Sequence, residues 1–127
     1  MTNSTLLNPQ VSAPLQLPVL ELFYKNRPIE VAPEKTPFLI GRENPRAALS
    51  VRGEFASREH CRIEFHEGKF LLKDCSRNGT IIKLGIAPSF RLKGELIPLT
   101  GSGSIHLGAE ASTTEACILF KVSLRAL

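Results

Sequence analysis

Read for the alternation of apolar and polar positions, the chain falls into short runs and never settles into a helical period. From Pro18 onward the segments VLELFY, RPIEVA, FLIGR, ALSV, HCRIEF, KFLLKD, TIIKL, ELIPLT, SIHLG and ACILFKVSL follow one another, broken every several residues by Gly, Pro or Asn. About ten such runs in about a hundred residues, with no 3.6-residue repeat, predict an all-β sandwich or barrel. Within HCRIEF the alternation puts Cys61, Ile63 and Phe65 on one face and Arg62 and Glu64 on the other, as a strand with one buried side requires. Turns are predicted at Lys25-Asn26, Glu67-Gly68 and Asn78-Gly79, pairs that tolerate positive φ. Gly101 and Gly103 flank Ser102 in what reads as a flexible connection. The seven Phe are spread along the runs at positions expected to face a core.

The first residues have a different texture. MTNSTLLNPQVSAPLQL carries no charged side chain and two prolines, Pro9 and Pro14, which deny a regular ladder its donors. Residues 1–17 are therefore predicted to be a flexible tail and residues 18–127 a single domain, the usual size for one core. With 43% hydrophobic and 22% charged residues the composition is that of an ordinary globular chain. The N-terminus lacks the positive start and apolar run of a signal peptide, and no apolar span is long enough to cross a membrane. Cys61, Cys75 and Cys117 are odd in number and widely spaced, which argues against a disulfide framework and for core positions in a reducing cytoplasm. Together with His60, His66 and His106 they show no paired short spacing of the zinc type, so no metal or other cofactor is expected.

A formal net charge of +4 favours an anionic partner only if the charge is concentrated. Four loops concentrate it. IGRENPR holds Gly41, Arg42 and Arg46; SVRGEF holds Arg52; EFASREH holds Ser57, Arg58 and His60; and DCSRNGT brings Arg77 with Ser76, Asn78 and Gly79. Loops at strand ends are where β-sandwiches carry function. Gathered at one end, the five arginines with Ser57, Ser76, Asn78 and approachable glycine backbone describe an oxyanion site. A phosphomonoester suits it better than a carboxylate, because it offers three strong acceptors and close to two charges to the planar fork of arginine. Ser57, His60 and Asp74 are also the ingredients of a nucleophile triad. Nothing in the sequence resembles a nucleophile elbow or an oxyanion hole, so His60 is read as a loop brace and no catalytic residue is expected.

FLIGR, then SREH, then LLKDCSRNGT, in this order and with these gaps, resemble the forkhead-associated domain over approximately residues 18 to 123. The resemblance implies an all-β fold, a two-sheet sandwich of about eleven strands with binding loops at one end, that recognises phosphothreonine in partner proteins. Carried over by residue, it gives Arg42 and Ser57 to the phosphate, Arg58 to a supporting contact, and Asn78 to the peptide backbone. A small apolar recess would take the threonine methyl. Gly41, His60 and Gly79 match positions that shape or brace the loops, and Arg77 stands where the family varies, so its role is open. One departure is IIKLGI, where Lys83 and Leu84 precede Gly85 in place of the family's frequent Asn-Gly; a different turn is expected on the side that reads residues following the phosphothreonine. A weaker resemblance links GELIPLTGSGSIHLG to the forkhead-associated modules fused to some bacterial nucleotidyl cyclases.

The expectation is a bacterial, cytoplasmic, non-enzymatic adaptor or regulatory module in protein-kinase signalling. Its partner would be a threonine-phosphorylated protein, with no role for nucleic acid or membrane. Two alternatives stand beside it. A small nucleic-acid-binding β-domain would use the arginines along a phosphate backbone, but the dispersed Phe residues form no stacking platform. A phosphate-independent protein-interaction domain would keep the fold and use a sheet face.

Overall fold

The computed structural model describes residues 16–109 and 116–126. Among them eleven strands form two sheets. In chain order the strands are β1 (Gln16–Tyr24), β2 (Arg27–Val31), β3 (Phe38–Arg42), β4 (Leu49–Val51), β5 (Cys61–His66), β6 (Lys69–Asp74), β7 (Thr80–Leu84), β8 (Phe90–Leu92), β9 (Leu96–Pro98), β10 (Ser102–Leu107) and β11 (Cys117–Ala126). The pattern left sandwich and barrel open, and the two-sheet sandwich that the resemblance implies is the fold observed. Ten of the strands coincide with the apolar runs. The eleventh, β8, is three residues long, too short for a period of two to stand out.

One sheet has the order β9-β6-β5-β3-β4 and the other β2-β1-β11-β10-β7-β8. All neighbours are antiparallel except β3 and β4, which pair in parallel with Ile40 opposite Leu49 and Arg42 opposite Val51. Between the sheets lie Leu20, Leu22, Ile40, Ile63, Phe70, Leu72, Ile82, Ile105, Ile118 and Phe120, all essentially closed to solvent. Cys61 and Ile63 point into this core as predicted, while Arg62 and Glu64 turn to the outer face. Among the described residues no helix is long and apolar enough to cross a membrane.

Register decides where the loops meet. Ile40 pairs with Cys61, Cys61 with Asp74, and Thr80 with Leu107. The end of β3, the start of β5, the end of β6, the start of β7 and the end of β10 are therefore brought to one end of the sandwich. The polar loops singled out in the sequence all open there.

Several local expectations change. Lys25 (φ 51°) with Asn26 (φ 64°) and Glu67 (φ 51°) with Gly68 (φ 79°) form the predicted tight turns. Gly103 does not belong to a flexible connection: it lies inside β10, where an added Cβ would stand 1.9 Å from the Lys83 carbonyl oxygen. Of the aromatic residues expected in the core, Phe55 is 51% and Phe90 40% exposed. The three cysteines are free, but only Cys61 is fully buried; Cys75 is exposed and Cys117 half-buried. Of the segment read as a tail, residues 1–15 lie outside the described residues, whereas Gln16 and Leu17 open β1 opposite Ala126 and Arg125.

Candidate functional site

The site is built on a close approach of backbone to backbone. β3 ends in Gly41-Arg42, and a Cβ on Gly41 would sit 1.7 Å from the Arg58 carbonyl oxygen. Only glycine lets the 52–60 loop lie across the strand here. The loop is then stitched down: the Arg42 N–H donates to the Ser57 carbonyl (2.8 Å) and the His60 N–H to the Ile40 carbonyl (2.9 Å). Asn44, almost fully buried, adds a tie that the sequence reading missed. Its Nδ2 donates to the Arg58 carbonyl (2.8 Å), and its Oδ1 accepts the Arg46 N–H (2.9 Å). The available signal was Asn44 ahead of Pro45, a turn-initiating pair whose side chain bonds the backbone two residues on.

His60 joins two of the loops. Its ring is closed to solvent; Nδ1 accepts the Ser57 N–H (2.9 Å), so the proton is on Nε2, which donates to the Gly79 carbonyl (2.9 Å). Burial holds the imidazole below its ordinary pKa, against the opposing pull of the Gly79 carbonyl and the Asp74 charge. The neutral ring is thus the folded form, while the unfolded chain takes up a proton near pH 6.5. The resulting stability is complete above about pH 6.5 and is lost as pH falls toward the depressed folded value, at up to about 1.4 kcal/mol per pH unit. Urea unfolding at pH 7.5, 6.5 and 5.5 is expected to show this decline in the wild type and to show it flattened in His60→Ala, which is also less stable at pH 7.5. Equal pH slopes in the two proteins would remove His60 from this role.

The third loop, residues 75–79, is fixed from several sides. Asp74, 1% exposed, accepts the Ser76 hydroxyl (2.6 Å) and the Thr80 hydroxyl (2.7 Å) on Oδ1 and the Gly94 N–H (2.8 Å) on Oδ2. Burial alone would raise its pKa, but these donors outweigh it and hold the carboxyl below the usual range. Ser76 Oγ in turn accepts the Gly79 N–H (2.8 Å), and Gly79 takes φ 91°. From β8 and the residue after it, the Arg91 guanidinium donates to the Asn78 carbonyl and the Lys93 ammonium to the Arg77 carbonyl. These two braces were also missed, because the strand that presents them was.

Cross-links between loops bring the predicted residues together. Ser57 Oγ accepts the Arg77 N–H (3.1 Å), and Asn78 Nδ2 donates to the Phe55 carbonyl (3.1 Å). Arg42, Ser57, Arg77 and Asn78 are therefore joined through one hydrogen-bonded cluster, while Arg58 enters it by its carbonyl and leaves its side chain exposed. Ser57, His60 and Asp74 do not form a relay: the ring bonds the Ser57 N–H and not its hydroxyl, and the Asp74 carboxylate is taken up by Ser76, Thr80 and Gly94. Among the described residues no group of His, Cys, Asp and Glu is placed to hold a metal ion.

Arginine is in excess at this end, five guanidinium groups beside the exposed Glu43, Glu54 and Glu59 of the same loops. The ion pairs among the described residues lie elsewhere, between Glu64 and Arg62 or His66 and between Glu30 and Arg125. The guanidinium groups of Arg42, Arg46, Arg52, Arg58 and Arg77 enter none of them, and Arg42 is half-buried in that condition. A guanidinium that makes no ion pair keeps its planar fork of donors available to an incoming anion. The site can offer such an anion arginine forks, the Ser57 hydroxyl and the Asn78 amide.

Comparison with known proteins agrees with this architecture. Residues 38–94, a span that contains all of the predicted site residues, match the FHA-domain family model. No curated protein matches the sequence. Among solved structures, the first FHA domain of Mycobacterium tuberculosis Rv1747 superposes with a TM-score of 0.65 at 24% identity, covering 87% of this chain and 99% of that one. The FHA domain of an Arabidopsis thaliana hypothetical protein gives a TM-score of 0.66 at 21% identity over 87% and 88% of the two chains. The N-terminal FHA domain of S. cerevisiae RAD53P, solved in complex with a phosphothreonine peptide, gives 0.61 at 18% identity over 84% and 94%. Residues 38–94 are thus similar in sequence to the FHA-domain family, and over most of its length the chain shares the fold of solved FHA domains.

Proposed function

We propose that the loop end of the sandwich binds threonine-phosphorylated protein segments and that the domain acts without catalysis, as an adaptor or regulatory module whose switch is a protein kinase. The observation that carries this reading is Arg42: a half-buried guanidinium with no ion pair among the described residues, on a strand end whose N–H is bonded to the Ser57 loop. Arg42 and the Ser57 hydroxyl would hold the phosphate, and Arg58 would add charge from the same loop. Asn78, with its amide bonded to the Phe55 carbonyl of the neighbouring loop, would fix the peptide backbone. Arg77 would contribute its N–H through Ser57 and its exposed side chain to the surrounding potential. Gly41, His60 and Gly79 act on the loops and not on the ligand. The yeast RAD53P domain, crystallised with a phosphothreonine peptide, supports the reading by its fold. The free thiols suit a reducing cytoplasm, and the likeness of GELIPLTGSGSIHLG to bacterial modules points to a bacterial source.

Matched peptides carrying phosphothreonine, phosphoserine or threonine test the proposal by calorimetric titration. Burying the extra methyl is worth about 0.8 kcal/mol, so phosphothreonine should bind about fourfold or more tightly than phosphoserine, with no measurable binding of the unphosphorylated peptide. Indifference between the two phosphopeptides would argue for a general anion site. Salt separates the nucleic-acid alternative: binding through many phosphates collapses steeply as salt rises, while a single-phosphate contact declines gently.

A further inference from the structure

We infer that Phe55 is a specificity-determining residue, an aromatic platform at the rim of the site for one apolar side chain of the bound phosphopeptide. This rests on the reading of the site as a phosphopeptide receptor and adds the class of sequence it selects.

A single exposed apolar side chain carries no meaning by itself. Phe55 differs in how it is held. It stands in a turn closed by the Ala56 N–H to the Gly53 carbonyl (3.2 Å), two residues before Ser57. Its own carbonyl accepts Asn78 Nδ2 (3.1 Å). On the other side Gly108, at φ 88°, lies so close that an added Cβ would stand 2.0 Å from that carbonyl oxygen and 2.9 Å from the Phe55 Cβ. The backbone is thus clamped between two loops by the same asparagine assigned to the ligand, yet the residue is left 51% exposed. A phenylalanine on a fixed backbone has only two χ angles to immobilise when a ligand covers it, which is why aromatic residues serve as anchors at interfaces.

Position limits what the ring can meet. Two residues of chain span at most about 7 Å, so Phe55 begins within that distance of the serine that receives the phosphate. An extended peptide advances about 3.3 Å per residue, which places the contacted side chain within about three residues of the phosphothreonine. The exposed charged residues of these loops are of both signs, Arg52, Arg58 and Arg77 with Glu54 and Glu59, so the rest of the rim is polar with a small cationic excess. An apolar or aromatic side chain at one position, among residues that do not repel these arginines, is the ligand that fits.

The test is a degenerate library in which phosphothreonine is fixed and the three residues on each side vary, probed with the wild-type domain. One flanking position is expected to select Leu, Ile, Met, Val or Phe. For the best such peptide, Phe55→Ala should weaken binding about tenfold and Phe55→Leu by much less. The penalty should shrink to less than about twofold when the selected apolar residue of the peptide is itself replaced by serine, the coupling expected of two groups in contact. Thermal unfolding of Phe55→Ala checks that the clamp, which uses the backbone, survives. A library with no apolar preference within three residues, or an equal loss on both peptides, overturns the role of Phe55 while leaving the phosphate site standing. Failure of every phosphothreonine peptide to bind the wild type overturns both readings, and the threonine and phosphoserine titrations above identify that case.

Discussion

Arg42→Ala should weaken phosphothreonine-peptide binding by about ten- to a hundredfold while leaving thermal unfolding within a few degrees of the wild type. The lost group is a half-buried guanidinium that makes no ion pair among the described residues, so the folded protein gives up little with it. The ligand loses a charge-assisted contact worth about 1.5 to 3 kcal/mol. Arg42→Lys should restore only part of the affinity, because an ammonium is a point charge and cannot bind two phosphate oxygens through a planar fork. Calorimetric titration of the three proteins with one peptide is the measurement. Equal affinities for wild type and Arg42→Ala would move the phosphate away from this strand end.

Asp74→Ala should have the largest effect on stability. Its carboxylate is the shared acceptor for the Ser76 hydroxyl, the Thr80 hydroxyl and the Gly94 N–H. Thr80 is fully buried, so its hydroxyl cannot turn to water. An unsatisfied buried donor costs about 1–3 kcal/mol, and with partial relaxation at the half-buried Ser76 a total loss of about 3–4 kcal/mol is expected. That is a large part of the 5–15 kcal/mol typical of a domain. Asp74→Asn should be milder, since an amide oxygen can still receive the two hydroxyls. The pH dependence follows from the depressed pKa of the folded carboxyl: its contribution is present above the unfolded value near 3.9 and lost as pH falls through the lower folded one. Acid unfolding of Asp74→Ala should therefore be shallower in that window than that of the wild type. Phosphopeptide affinity should fall too, since Ser76 holds the Gly79 N–H and so the turn that carries Asn78. Unchanged melting and binding would show that the 75–79 loop is braced by other contacts.

The alternation of apolar and polar residues was enough to determine the all-β class and ten of the strands, because side chains point to opposite faces at a period of exactly two residues whatever surrounds them. The ordered loops FLIGR, SREH and LLKDCSRNGT were enough to single out Arg42, Ser57, Asn78 and His60 through their resemblance to the forkhead-associated pattern, and glycine-containing turns announce where such residues sit. What pairs with what was decided only in three dimensions. The reason Gly41 must be glycine is the Arg58 carbonyl 17 residues away; Arg91 and Lys93 brace the Asn78 turn from a strand too short to declare itself; and Asn44 acquires its role by meeting the same Arg58 carbonyl. Phe55 and Cys75 show the limit most plainly, since both were expected in the core and both are exposed. Hydrophobic character states a preference for burial, but whether a loop residue is covered depends on which other loop the strand register brings beside it, and that information is spread over contacts distant in the chain.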